Sequence, residues 1–233
     1  MLPGMRGDRF RLIGRRWLAL FLALAAWPVG EIAFAALAIH REPIERCGAP
    51  LAEASVPFTL YLGVIAQEDT RFYAHRGIDW PLVWLNARQN LRQGRIAGGA
   101  STIDMQVAAL CHVNATTGNR WLRKLRQALY AAMLNRVRGK QDILSAYLSA
   151  APLIPGGPVG FESGARHYFG TELRLLDTSQ QWGLIVALRN RETLNPFAVA
   201  AAGGLPESIE QQTRRARQRQ QDMLRRFRER AIR

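Results

Sequence analysis

The chain has 233 residues, 48% of them hydrophobic, enough to bury one sizeable core but not two full domains beside an anchor and a tail. A formal charge of +14, from 32 Lys and Arg against 18 Asp and Glu, points to a polyanionic neighbour such as nucleic acid, anionic lipid or a pyrophosphate. Two cysteines are too few for a disulfide scaffold and too isolated for a zinc site.

Residues 1–16 form a basic segment, with Arg6, Arg9, Arg11, Arg15 and Arg16 against a lone Asp8. Residues 17–39 follow as an apolar run whose only charge is Glu31. It is long enough to cross a hydrocarbon core of about 30 Å and too long for an ordinary signal-peptide core, so it predicts a transmembrane helix. The positive flank keeps the N-terminus in the cytoplasm, which puts the rest of the chain on the periplasmic or extracytoplasmic side of a single-pass inner-membrane protein. Pro28 predicts a kink, and Glu31 is costly in the span unless protonated, partnered or near the interface, with a snorkelling or protonated acid as the expectation.

Residues 40–57 mix Pro, Gly and charges and read as a linker. Cys47 lies in it. Cys111, in the apolar run VAALC, reads as a buried free thiol, with pairing to Cys47 in an oxidising compartment as the alternative.

From 58 to 200 the pattern is that of one mainly α domain. Apolar residues recur at spacings of three and four in 58–67, 81–92, 102–113, 121–137, 141–150 and 180–189, and no alternating run argues for a sheet. Pro and Gly break the chain at 151–160 and 201–206. The tail, 201–233, carries a basic helical pattern with Met223, Leu224 and Phe227 on a stripe, suited to docking on the domain, to a membrane surface, or to solvent.

Five stretches carry chemistry. In EDTRFYAHRG, Glu68 to Gly77, a helix would line up Glu68, Phe72 and His75 at i, i+4 and i+7, and a carboxylate among apolar neighbours is suited to act as a base. In GGASTIDMQ, Gly98 to Gln106, small residues and the hydroxyls of Ser101 and Thr102 precede an apolar helix, an arrangement that suits anionic oxygens. RKLRQ places Arg123 and Lys124 one turn before Gln127, and KQDILSAYL and GFESGARHYFG follow. No Ser is followed at the third position by Lys, so the chain holds no SxxK acyl-transfer site.

Taken in order, these stretches resemble the motifs of glycosyltransferase family 51, the peptidoglycan glycosyltransferase domain of class A penicillin-binding proteins and of monofunctional biosynthetic transglycosylases. Met105 to Ala108 and the YLSAAPL segment look closest to the 1C-type branch. The resemblance implies a lysozyme-like α fold outside the cytoplasmic membrane. There it would polymerise lipid II by inverting transfer, releasing undecaprenyl pyrophosphate, with the membrane, a polyprenyl-pyrophosphate-linked glycan and a separate transpeptidase as partners. Nucleic acid is not among them, because the basic domain would lie on the wrong side of the membrane.

Glu68 matches the family's base. Arg123 and Lys124 match its diphosphate-binding pair, and Arg189 falls near a later cationic position. Asp69, His75, Ser101, Thr102, Asp104, Gln106 and Gln127 fall at substrate-contacting or supporting positions. The chain departs from the pattern at Asp104, Ala109, Gln127, Asn135 and Ser149. Asp104 adds an anion and Ala109 omits a cation near a dianionic leaving group, which is unfavourable unless solvated or bridged. The resulting expectation is that Asp104 supplies a second carboxylate, through Mg2+ or Mn2+, that Gln127 cannot. The same departures motivate the alternative of an impaired member that binds lipid pyrophosphates as a cell-wall accessory. A lytic, lysozyme-like activity is a third reading.

Overall fold

The computed structural model describes residues 26–37, 47, 51, 55–94, 100–112 and 118–231. Residues 26–37 form helix α1. α2 (Phe58–Glu68), a 3-10 turn (Phe72–Ala74), α3 (Trp80–Gln93), α4 (Ile103–Cys111), α5 (Arg120–Val137) and α6 (Lys140–Ala150) come next. They are followed by α7 (Phe161–Phe169), a 3-10 turn (Leu173–Leu175), α8 (Thr178–Ala187), α9 (Pro196–Ala201) and α10 (Glu207–Ala231). No strand occurs among the described residues, so the mainly α reading stands.

The helix starts are written in short polar side chains. Asp79, Thr102, Asn119, Asp177 and Asn195 each accept a backbone N–H of the first turn, at α3, α4, α5, α8 and α9 respectively, as N-caps do. The six apolar-periodic segments correspond to α2, α3, α4, α5, α6 and α8 within a few residues. α7, short and interrupted by Gly164, was legible only as a motif.

The core joins two sets of helices. α4 packs against α5 and α6, and α2 packs against α8 and α10, with α7 between α6 and α8. Trp182, Tyr130, Phe72, Phe161 and Leu144 are among its fully buried side chains. α10, the basic tail, is docked: Gln220 donates to the Thr59 carbonyl at 2.6 Å and Arg219 to the Ala66 carbonyl at 3.0 Å.

Two expectations change here. Cys47 and Cys111 form a disulfide with Cα atoms 5.1 Å apart, which ties residue 47 to the end of α4. Closing a loop over that 64-residue separation stabilises the fold by roughly 4 kcal/mol in the chain-entropy account. Glu31 neither snorkels nor stands alone, since it accepts from Arg126 of α5 through both carboxylate oxygens, at 2.9 and 2.7 Å. The first residues of the expected span, 17–25, and its last, 38–39, lie outside the described residues, and no described helix is long and apolar enough to cross a membrane.

Candidate active site

α2 does not run on through the first motif. It ends at Glu68, where Asp69 leaves helical geometry at φ −156° and ψ 77°. Glu68, Phe72 and His75 therefore do not share one continuous helix. The break turns Asp69 into the protein, where it is 5% exposed. Its carboxylate receives His75 Nε2 at 3.0 and 3.2 Å and the Ile103 N–H at 3.0 Å, which ties the loop to the start of α4. Thr102 adds a second tie, donating to the Gly77 carbonyl at 2.6 Å. Gly77 sits at φ 92°, and a Cβ there would lie 2.5 Å from the Ala131 carbonyl oxygen, so only glycine lets this loop press against α5.

Glu68 itself stays half-buried at the cleft. Gln106 Nε2 donates to its Oε2 at 3.1 Å, and the Gln106 oxygen accepts from the Tyr147 hydroxyl at 3.1 Å. Burial pushes the Glu68 carboxyl above its ordinary range. The Gln106 hydrogen bond and the Arg189 charge act against that shift, and the Asp69 charge adds to it. Burial, helped by the Glu68 charge, also holds the Tyr147 hydroxyl well above its usual value, so it remains a donor.

At the other end lie the cations of α5. Lys124 Nζ donates to Ser101 Oγ and to Gln127 Oε1, each at 3.0 Å. Desolvation, then the charges of Arg120 and Arg123, hold the Lys124 ammonium below the usual lysine range. A cavity of about 240 Å3 is lined by Ser101, Lys124 and Gln127 and by Gln106, Tyr147 and Ala109, and Gln106 connects it to Glu68. The arrangement offers a base with an elevated pKa at one side and preorganised cations at the other, suited to removing a proton while an anionic group departs.

Arg123 is exposed on α5. Arg189 acts on Glu68 through its charge and donates to Gln212 of α10, and it donates to Gln67 as well once that amide is turned to present its oxygen. Asp104 is not in the cleft. It is 0% exposed, accepts from Lys140 Nζ at 2.9 and 3.0 Å, and also accepts from Asn135. The expected second carboxylate is therefore an internal counter-ion to Lys140, and it adds no anion where a dianionic group would leave.

Asp69, His75 and Asp104 are the one cluster among the described residues with donor atoms close enough to hold a metal. Their chemistry does not fit a divalent ion. The Lys140 ammonium already bonds both Asp104 oxygens, and His75 and Ile103 engage Asp69. Asp104→Ala is expected to destabilise the fold by about 3–5 kcal/mol, because it leaves the Lys140 charge uncompensated in a largely buried setting. Urea denaturation checks this, and a loss under about 1 kcal/mol, the scale of an exposed pair, would remove the counter-ion role.

Lys140 and Tyr147 had no separate role in the sequence reading. Their signal was present, since they lie seven residues apart on one face of α6, each reaching a residue of α4.

A family profile described as Transglycosylase matches residues 41–228. A biosynthetic peptidoglycan transglycosylase of Chromobacterium violaceum is 31% identical over 189 residues, 74% of this chain and 82% of that protein. One from Dechloromonas aromatica is 30% identical over 175 residues, 72% of this chain and 74% of its own length. One from Pseudomonas aeruginosa is 36% identical over 133 residues, 57% of this chain and 56% of its own.

Proposed function

The chain belongs to the transglycosylase family, and from that premise we propose that it polymerises lipid II into glycan strands on a lysozyme-like α domain. It is a peptidoglycan glycosyltransferase. Glu68 takes the proton from the 4-hydroxyl of the acceptor sugar as that oxygen bonds to the anomeric carbon of the donor. The bond from that carbon to the pyrophosphate breaks on the opposite face, which inverts the centre. A pyrophosphate needs little protonation to leave, but its charge must be stabilised as it develops. Lys124, with Arg120 and Arg123 around it, supplies that charge, and Ser101 and Gln127 hold the ammonium in place.

The single observation that carries this reading is the Gln106 bridge. It lines the cleft together with Lys124 and also bonds the half-buried Glu68, so one side chain links the base to the cavity that holds the Lys124 ammonium. We assign the domain to the outer face of the cytoplasmic membrane, with 17–39 as its anchor. The Cys47–Cys111 disulfide supports an oxidising compartment. Trp84 and Trp121, 73% and 77% exposed, supply aromatic surface of the kind found at membrane interfaces.

Gel analysis of the full-length protein with labelled lipid II is expected to show a ladder of glycan polymer. Binding without polymer would instead support the accessory reading, and shortening of preformed strands the lytic one. The pH profile should be a bell. Its rising limb lies above the ordinary carboxylate range because Glu68 must lose its proton, and its falling limb lies below the ordinary lysine range because Lys124 must keep its own. A profile flat on both sides would leave the two residues without these roles.

A further inference from the structure

Only one side of α1 meets the domain. Glu31 and Ala35, one helical turn apart, face inward, and Ala35 is wholly buried in the core. Trp27, Val29, Ile32, Phe34 and Leu37 are 41–66% exposed around the rest of the helix. On that same side the Glu31 carboxylate receives Arg126 Nε at 2.9 Å and Nη2 at 2.7 Å. Such a two-point contact fixes orientation as well as distance.

Arg126 lies in the half of α5 that buries no side chain fully. The buried residues of α5 are Tyr130, Ala131 and Leu134, all in its second half. From Arg120 to Leu129 no side chain is fully buried, yet this half carries Lys124 and Gln127. Two residues along a helix is a turn of about 200°, so Lys124 and Arg126 project to nearly opposite sides. Lys124 is tied to Ser101 on the cleft side and Arg126 to Glu31 on the other.

We infer that the Glu31–Arg126 pair is a brace through which the anchor helix positions the leaving-group end of the cleft. This rests on the function proposed above. Arg126 acts as a positioning residue, setting the roll of α5 and so where Lys124 meets a diphosphate. Removing either partner leaves a charge in an apolar setting, so each single loss is worse than the loss of both charges together.

The test uses the full chain in lipid nanodiscs with Glu31→Leu, Arg126→Leu, and the exchange of Glu31→Arg with Arg126→Glu. Each single variant is expected to lower kcat about tenfold with KM for lipid II changed less than about threefold, the same split as loss of the Lys124 charge, and the exchange to recover most of the loss. Backbone hydrogen exchange over residues 120–127 should quicken in both single variants and return towards wild type in the exchange. Unchanged exchange in the single variants, or an exchanged pair as impaired as they are, overturns the brace. If exchange follows the expected pattern while the wild-type protein makes no polymer, the functional reading falls and the brace stands.

Discussion

Glu68→Gln is expected to lower lipid II polymerisation by roughly a thousandfold, within the span for losing a positioned general base, while the fold is kept. The amide has nearly the shape of the carboxylate, and its oxygen can still accept from Gln106. It cannot take the acceptor's proton. The stability change should have the opposite sign to the activity change. Burial raises the folded-state pKa of Glu68, so the group's contribution is fully present below the ordinary carboxylate pKa and is lost as pH rises through the folded value. At neutral pH the variant should therefore melt at or above the wild-type temperature, and the difference should vanish in acid. Polymer formation within about tenfold of wild type would move the base to another residue.

Lys124→Ala is expected to reduce turnover about a hundredfold, the scale for removing one preorganised group that stabilises developing charge. Ser101 and Gln127 hold the ammonium before substrate arrives, so little reorganisation is needed when the pyrophosphate departs. Measuring kcat and KM separately distinguishes this from ordinary substrate attraction, which would raise KM alone. Arg174→Ala is the matched control, since Arg174 is paired with Glu172 on the surface and should leave both constants unchanged. A Lys124→Ala enzyme with wild-type kcat would assign the leaving-group charge to Arg120 or Arg123 instead.

The helices were legible because their signals are local. The three-and-four spacing of apolar residues in 121–137 and caps such as Asn119 and Asp177 depend on neighbours within a turn. The candidate base stood out for a related reason, because Glu68 lies in a motif whose members are close in sequence. What remained hidden depends on residues far apart. Asp104 looked like a cleft anion because its partner Lys140 lies 36 residues away, and only the packing of α4 on α6 brings them together. The partner of Glu31 stayed hidden because Arg126 is 95 residues away.

By itself, then, the sequence determined the mainly α class, the family resemblance and the candidate base, all encoded in short-range periodicity, caps and contiguous motifs. The tertiary structure alone decided which charges face the cleft and which neutralise one another inside. It closed the Cys47–Cys111 bond, buried Asp104 against Lys140, and set Glu31 on Arg126. The physical reason is that the state and role of an ionisable group follow from its burial and its nearest opposite charge. Both are properties of packing between distant segments rather than of any stretch of chain.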